Sequence, residues 1–355
     1  MNNPALDNWR RLVAYALTGR PYLTWRKLLN VIRCELEKKQ RVIRPRAFPY
    51  TAFIDTVHIC NLRCPYCPTG ARRDSGRAKK MIDPLLVKGM LDELDKYLVN
   101  VNLFNWGEPL LHPQIAEIVS MIHKRRIFTL ISSNLNTHNR EVLDKLIEAG
   151  LDYLMVSLSG ASQKVYEHYH HRGNLNLVFE NVRYITSYKR RYHLRRPVIE
   201  MKYLLFKHNR HEIKAARNMA ASLGVEVFRC YQGSGPEDAI IDVSSSEKNS
   251  VSHKFCPQLW NILILNSDGG IMPCCYLFFK EDDFGDHVQN QIMQVRNNPL
   301  FVTARKLFNA SEALDLPRSM QHPCLKCELV HDQAHLHEYL ASNAYAQKGH
   351  RTGGP

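Results

Sequence analysis

The sequence predicts an α/β fold: a partial (β/α)6 TIM-like barrel followed by a small C-terminal α+β hairpin–helix module. Three observations carry this. Strand-like and helix-like segments alternate six times between residues 51 and 232, the pattern of parallel strands joined by helical crossovers. Cys60, Cys64 and Cys67 follow directly on the first strand, where barrel folds place their chemistry. A stretch with Gly233, Gly235, Pro236 and the run Ser244-Ser245-Ser246 then reads as a linker before a second cysteine-bearing region. The chain thus divides into a basic helical segment (1–50), the barrel (51–232), the linker (233–250), the second module (251–335) and a tail (336–355) that lacks an apolar pattern and reads as disordered.

The elements follow in order. Residues 8–19 and 22–39 read as amphipathic helices, the second with Trp25, Leu28, Leu29, Ile32 and Leu36 at helical spacing. Its stripe either packs on the adjacent domain or lies on an anionic membrane surface. Pro45 and Pro49 break the chain. Strands are expected at 53–57, 101–104, 128–132, 153–158, 198–205 and 226–231, and helices at 84–98, 113–123, 140–149, through Asn181 and Tyr184, and at 211–223. In the second module, 262–265 and 271–272 flank the turn Asn266-Ser267-Asp268-Gly269-Gly270 as a hairpin, and 291–307 reads as helical.

A chain of 355 residues is long enough for two domains. The net charge is +14, and residues 1–50 alone hold eleven Lys/Arg against three acids, a net +8. A second basic run holds Lys189, Arg190, Arg191, Arg195 and Arg196. Such charge either solvates the surface or favours anionic partners: phosphorylated substrates, acidic membranes or nucleic acid. No apolar run is long enough to span a bilayer, and the N-terminus shows no signal-peptide pattern. Ten cysteines without an export signal point to a reducing, cytoplasmic setting and to metal or catalytic roles.

The Cys-x3-Cys-x2-Cys spacing of Cys60, Cys64 and Cys67 is the sharpest signal. Three thiolates on one loop can hold three irons of a cubane and leave the fourth open. A structural zinc site needs four ligands and a closed shell, and a disulfide framework an even count in a small secreted chain.

With Tyr66 before the third cysteine, this loop resembles that of radical S-adenosylmethionine (radical SAM) enzymes. The resemblance implies that Cys60, Cys64 and Cys67 bind a [4Fe-4S] cluster. Its open iron takes SAM, and reductive cleavage yields a 5′-deoxyadenosyl radical. After the second strand, Trp106-Gly107-Glu108-Pro109 resembles the family's Gly-Gly-Glu-Pro, with Trp106 in place of the first glycine. Gly107, Glu108 and Pro109 are thereby implied to meet the SAM amino group, a geometry in which a buried acid suits an ammonium. Ser133 and Asn134 after the third strand, and Ser157 and Ser159 at the fourth, stand where related enzymes hold the SAM ribose and carboxylate; hydroxyls there also cap turns. The family's carboxylate-binding arginine falls on His170, with Arg172 two residues on. A protonated His170 would suit a carboxylate.

Cys256, then Gly269 and Cys274, then Cys324 and Cys327, resemble an auxiliary-cluster extension of SPASM/Twitch type, implying a second [4Fe-4S] cluster. Four thiolates on a structural zinc are the alternative. Cys275 adjoins a ligand. Cys230 ends the last barrel strand, either as a small buried hydrophobe or as a hydrogen-atom donor to a substrate radical.

These observations point to a radical SAM oxidoreductase or isomerase. It would abstract hydrogen from an unactivated C–H bond of a small anionic, sugar or lipid-headgroup substrate, and draw electrons from a flavodoxin- or ferredoxin-type donor. A peptide-maturing enzyme is the runner-up. A non-catalytic metal- or nucleic-acid-binding protein would explain charge and cysteines but not the ordered succession of triad, Gly107-Glu108-Pro109 and barrel pattern.

Overall fold

The computed structural model describes residues 22–78, 80–236, 238–240, 255–309 and 322–331. The expected helix at 8–19, most of the linker and the tail lie outside these residues. A nine-stranded sheet in the order β6-β5-β4-β3-β2-β1-β7-β8-β9 forms the frame. Strands β1 (Thr51–Ile54), β2 (Asn100–Asn102), β3 (Phe128–Ser133), β4 (Tyr153–Leu158), β5 (Val198–Leu205) and β6 (Val227–Gln232) are all parallel. Between them run α2 (Pro84–Leu94), α3 (Ile115–Lys124), α4 (Arg140–Glu148), α5 (Gln163–Tyr169), α6 (Leu175–Arg191) and α7 (Ile213–Ser222), with α1 (Trp25–Lys39) ahead of β1.

The strands are short and apolar, and their alternation divides two faces. Ile131, Leu154, Val156, Ile199 and Met201 pack among helix residues such as Ile118, Leu143, Val178 and Ala216. Phe128, Leu130, Tyr153 and Met155 form a separate cluster with Tyr22 on the other face, the barrel interior. Local punctuation sets the boundaries. Asp83 caps α2 through Leu85 N (2.9 Å), Asn174 caps α6 through Leu177 N (3.1 Å), and Asn174 starts a new helix where one continuous helix was expected.

The C-terminal module continues the barrel sheet. After the turn α8 (Gln258–Asn261), strand β7 (Ile262–Leu265) pairs in parallel with β1, from Thr51↔Ile262 to Ile54↔Leu265. Antiparallel β8 (Gly270–Met272) and β9 (Gly285–Asp286) continue the same sheet. The hairpin therefore extends the barrel edge that β1 would otherwise leave open. The helix expected at 291–307 is broken into α9 (Ile292–Arg296) and α10 (Pro299–Lys306), because Asn298 caps a new start at Pro299. Helix α11 (Glu328–His331) follows the last cysteine pair.

Helix α1 is inverted relative to a packed amphipathic helix. Lys27, Asn30 and Cys34 are buried, whereas Trp25, Leu29, Ile32 and Leu36 are exposed. Its polar face is specified by bonds to distant segments. Lys27 Nζ donates to Arg126 O (2.7 Å), Asn30 exchanges two bonds with Phe48 (3.0 Å each), and Cys34 Sγ donates to Trp260 O (3.4 Å).

Candidate active site

The loop carrying Cys60, Cys64 and Cys67 leaves the C-terminal end of β1 and is fastened on three sides. Leu62 is buried, Arg63 N donates to His171 O (3.0 Å), and Asn61 Nδ2 donates to Asn136 O (2.8 Å). The turn passes so close to Gly70 that a Cβ there would lie 2.5 Å from Cys64 O. Tyr66 packs into an aromatic group with Tyr169 and Phe206 (ring centroids 6.0 and 6.1 Å).

The three sulfurs fit an iron–sulfur cluster. Burial, and then one another's charge, push the Cys64 thiol up, and the Cys60 thiol rises to about 12 from burial, Glu108 and Cys67. Burial also raises Cys67, offset by hydrogen bonds from the backbone of Gly70 and Thr69. Leu62 N (3.4 Å) and Asn134 Nδ2 (3.6 Å) already donate to Cys60 Sγ. Such donors, like iron itself, favour the thiolate.

Glu108 stands beside this loop, fully buried. Its Oε1 accepts from Ser133 Oγ (2.7 Å) and Leu110 N (3.1 Å), and its Oε2 accepts from Asn134 N (2.8 Å). Burial raises its pKa against these bonds, so a cation seated against it would be strongly held. Gly107 is dictated by sterics: a Cβ would fall 1.5 Å from Val57 O and 2.8 Å from Ile59 O. Pro109 opens a short 3-10 turn, Pro109–Leu111, for which Glu108 is the cap. Trp106 explains the departure from a double glycine. Its Nε1 donates to Leu277 O (2.8 Å) and its ring meets Phe278 edge-on (5.4 Å), which ties the site to the C-terminal module.

Other sequence-selected residues fall elsewhere. Ser159 Oγ lies 2.6 Å from His170 Nδ1 and 3.1 Å from Tyr166 O. Burial, with Lys202 adding, pushes the His170 ring down to about 3. His170 is therefore a neutral, stacked ring on Tyr166 (4.7 Å), without the positive charge that its carboxylate-binding role required. Arg172 is exposed, close enough to Arg63 that it, after burial and Arg72, lowers the Arg63 guanidinium. Cys230 is on the wrong face for a hydrogen donor. It pairs across β5–β6 with Tyr203, shares parity with Phe228, and feels Arg217 of α7. It thus points to the helical side, away from the interior.

Ser157, expected at the SAM ribose or carboxylate, lies on the interior face beside Lys202, Arg229 and Glu200, which the sequence reading passed over. Ser157 pairs with Lys202, and Lys202 with Arg229, which places a hydroxyl and two cations across β4–β5–β6. Below them Glu200, fully buried, accepts from Tyr153 Oη (2.5 Å) and Tyr231 Oη (2.6 Å). Charged residues two apart in the apolar strand 198–205 were the signal available.

Cys256, Cys274, Cys324 and Cys327 form the second sulfur group. Burial, and next Cys274, push Cys256 up to about 12, and burial with the charges of Cys256, Cys274 and Cys327 raises Cys324 well above its ordinary value. Cys275 is part of the same pocket. A hydrogen bond between the two thiols, before burial, holds Cys274 up and pulls Cys275 down. Buried His322 accepts from Cys324 N through Nδ1 (3.2 Å) and stands edge-on to Phe284 (5.0 Å). Among the described residues no three His, Cys, Asp or Glu side chains converge on a single-ion site.

Residues 54–220 match the Radical SAM superfamily and residues 256–328 an iron–sulfur cluster-binding domain of SPASM type. The chain belongs to the radical SAM superfamily. As a radical SAM enzyme it carries a SAM-binding [4Fe-4S] cluster and an auxiliary cluster. It is 28% identical over 130 residues to the PqqA peptide cyclase of Rhodopseudomonas palustris, covering 37% of this chain and 34% of that protein. It is 31% identical over 101 residues to the Fe-coproporphyrin III synthase of Methanosarcina barkeri, covering 28% and 25%. These matches span about a third or less of the curated relatives' length. In fold it is similar to Streptococcus suis SuiB (TM-score 0.61, 12% identity, 79% of this chain and 72% of that one). It is also similar to anSMEcpe with bound AdoMet and Cp18Cys peptide (TM-score 0.52, 11% identity, 79% and 86%).

Proposed function

We propose that this radical SAM enzyme modifies a peptide, in place of the small-molecule substrate that the sequence first favoured. The observation that carries the reading is the run of curated relatives that are PqqA peptide cyclases. The fold likeness to SuiB, also solved with its precursor peptide SuiA, is compatible with it. Lys202 lines one side of the interior with Ser157 alongside, and Arg229, paired with Glu200 (3.5 Å), stands next to it; this supports a peptide that bears a carboxylate.

When bound, the cluster at Cys60, Cys64 and Cys67 with SAM supplies a 5′-deoxyadenosyl radical that abstracts hydrogen from an unactivated C–H bond. Glu108 accepts the SAM ammonium, held in place by Ser133 Oγ and the amides of Leu110 and Asn134. Asn134 links this carboxylate to Cys60, so cofactor and cluster loop are positioned by one strand end. Cys256, Cys274, Cys324 and Cys327 hold the auxiliary cluster. Arg63, Arg72 and Arg172 form a cationic rim beside the cluster loop, suited to an acidic flavodoxin- or ferredoxin-type donor.

The test is anaerobic reconstitution. The protein should hold about eight irons, four per cubane, and release 5′-deoxyadenosine with dithionite and SAM; Cys64→Ala should abolish release. Peptides encoded beside the gene should lose hydrogen by mass spectrometry and stimulate SAM cleavage. Stimulation by sugar phosphates or lipid headgroups but by no peptide would return the small-molecule reading.

A further inference from the structure

Helix α1 presents its apolar stripe outward. Trp25, Leu29, Ile32 and Leu36 are 72, 48, 48 and 53% exposed, and their spacing of four, three and four residues lines them up on one side of the helix. The stripe runs for about 16 Å at 1.5 Å per residue. It is not a packing face left bare by chance, because the opposite side is already committed through Lys27, Asn30 and Cys34.

The charge around the stripe is predominantly basic. Arg26 and Arg33, seven residues apart, border one edge, and Lys39, Arg44 and Arg46 stand exposed at its C-terminal end. The only acids of the helix are turned to other work. Glu35 accepts from Tyr50 Oη (2.8 Å) and pairs with Lys38, and Glu37 accepts from Ala47 N (2.9 Å) and Arg33 (3.0 Å). What remains outward is a ridge of one indole and three aliphatic chains with a cationic border. Few surfaces make use of both features along one helix. A bilayer surface does: the apolar ridge sinks to the acyl boundary, the indole sits at headgroup level, and the guanidinium and ammonium groups meet lipid phosphates.

We infer that α1 is an interfacial helix that docks this enzyme on anionic membrane surfaces. The proposal goes beyond the peptide-modifying reading and is independent of it, since α1 contributes none of the residues placed at the cluster loop. Among the described residues no helix is long and apolar enough to cross a membrane, so the contact is peripheral.

The experiment is sedimentation of the full-length holoenzyme with phosphatidylcholine vesicles, with and without a third of phosphatidylserine. Arg26, Lys39 and Arg46 together predict binding about a hundredfold tighter to the anionic vesicles at low salt, collapsing at high salt. The double variant Leu29→Asp/Ile32→Asp should lose binding at least tenfold with unchanged SAM cleavage and unchanged melting, because both side chains are exposed. Arg26→Glu/Arg33→Glu should lose the preference for phosphatidylserine while keeping its fold. Absence of vesicle binding by the full chain, which is the result if the first twenty residues cover the stripe, overturns the proposal. So does equal binding to both vesicle types, or self-association that the Leu29/Ile32 variant abolishes in the absence of lipid binding.

Discussion

Gly107→Ala isolates the steric logic of the site. The added Cβ would lie 1.5 Å from Val57 O, 2.5 Å from Val57 C and 2.8 Å from Ile59 O. All three are backbone atoms, so no rotamer offers an escape. Restoring a tolerable contact of about 3.0 Å requires the two segments to part by roughly 1.5 Å. That movement breaks or stretches the bond from Glu108 N to Ile59 O (2.9 Å) and carries Glu108 off its partners Ser133 and Asn134. Overpacking of this kind costs about 1–3 kcal/mol, so melting should fall by only a few degrees. A displacement of 1 Å at a reacting centre costs about a hundredfold, so SAM affinity and 5′-deoxyadenosine release should drop by that factor or more. The assay is anaerobic titration calorimetry on reconstituted protein with iron content checked against the parent. Gly89→Ala, inside α2 with its nearest contact a His287 ring atom at 3.2 Å, is the control and should leave SAM binding unchanged. A Gly107→Ala enzyme with parental SAM affinity would refute the assignment of Glu108 to the SAM ammonium.

His170 titrates at about 3 in the folded protein and near 6.5 unfolded, so below pH 6.5 the unfolded chain takes up a proton that the folded one refuses. This group alone should remove roughly 2 kcal/mol of stability at pH 5; His170→Gln should flatten the urea-measured slope by that amount, and an unchanged slope contradicts it. Trp106→Phe loses the bond to Leu277 O and should cost about 1–2 kcal/mol, with faster hydrogen exchange over 275–279; parental exchange there rules the link out. Arg305→Met abandons bonds to Leu259 O, Ile43 O and Arg296 O in a fully buried setting and should cost about 1–3 kcal/mol for the acceptors left unsatisfied, read by denaturant unfolding. Cys230→Ala should leave deuterium uptake from solvent into product unchanged, since its thiol faces α7; lost uptake would restore it as a hydrogen donor.

The chemistry was legible where it is local. Cys-x3-Cys-x2-Cys and Gly107-Glu108-Pro109 act within one loop each, so spacing alone reports them. The succession of strand-like and helix-like segments placed the six parallel strands to within a few residues, because each strand's short apolar run lies within its own window. Parity in Val227–Gln232 puts Cys230 with Phe228 and Arg229 with Tyr231, but a single strand does not say which parity is the interior. Only the pairing with β5, whose Tyr203 and Met201 lie among the helices, decides that.

The amino-acid sequence by itself determined that this chain holds two sulfur groups, a barrel of six βα units and a basic amphipathic helix ahead of them. Tertiary structure decided what each of these faces. Strand β7 joins β1 across more than two hundred residues, and Trp106 reaches Leu277 across 171, which makes the auxiliary module part of the catalytic frame. Cys34 finds Trp260 across 226 residues, and that docking turns the apolar stripe of α1 to the outside. The physical reason is common to all three: periodicity records that a face is apolar or polar, whereas its partner is chosen by long-range packing and hydrogen bonding that no local window contains.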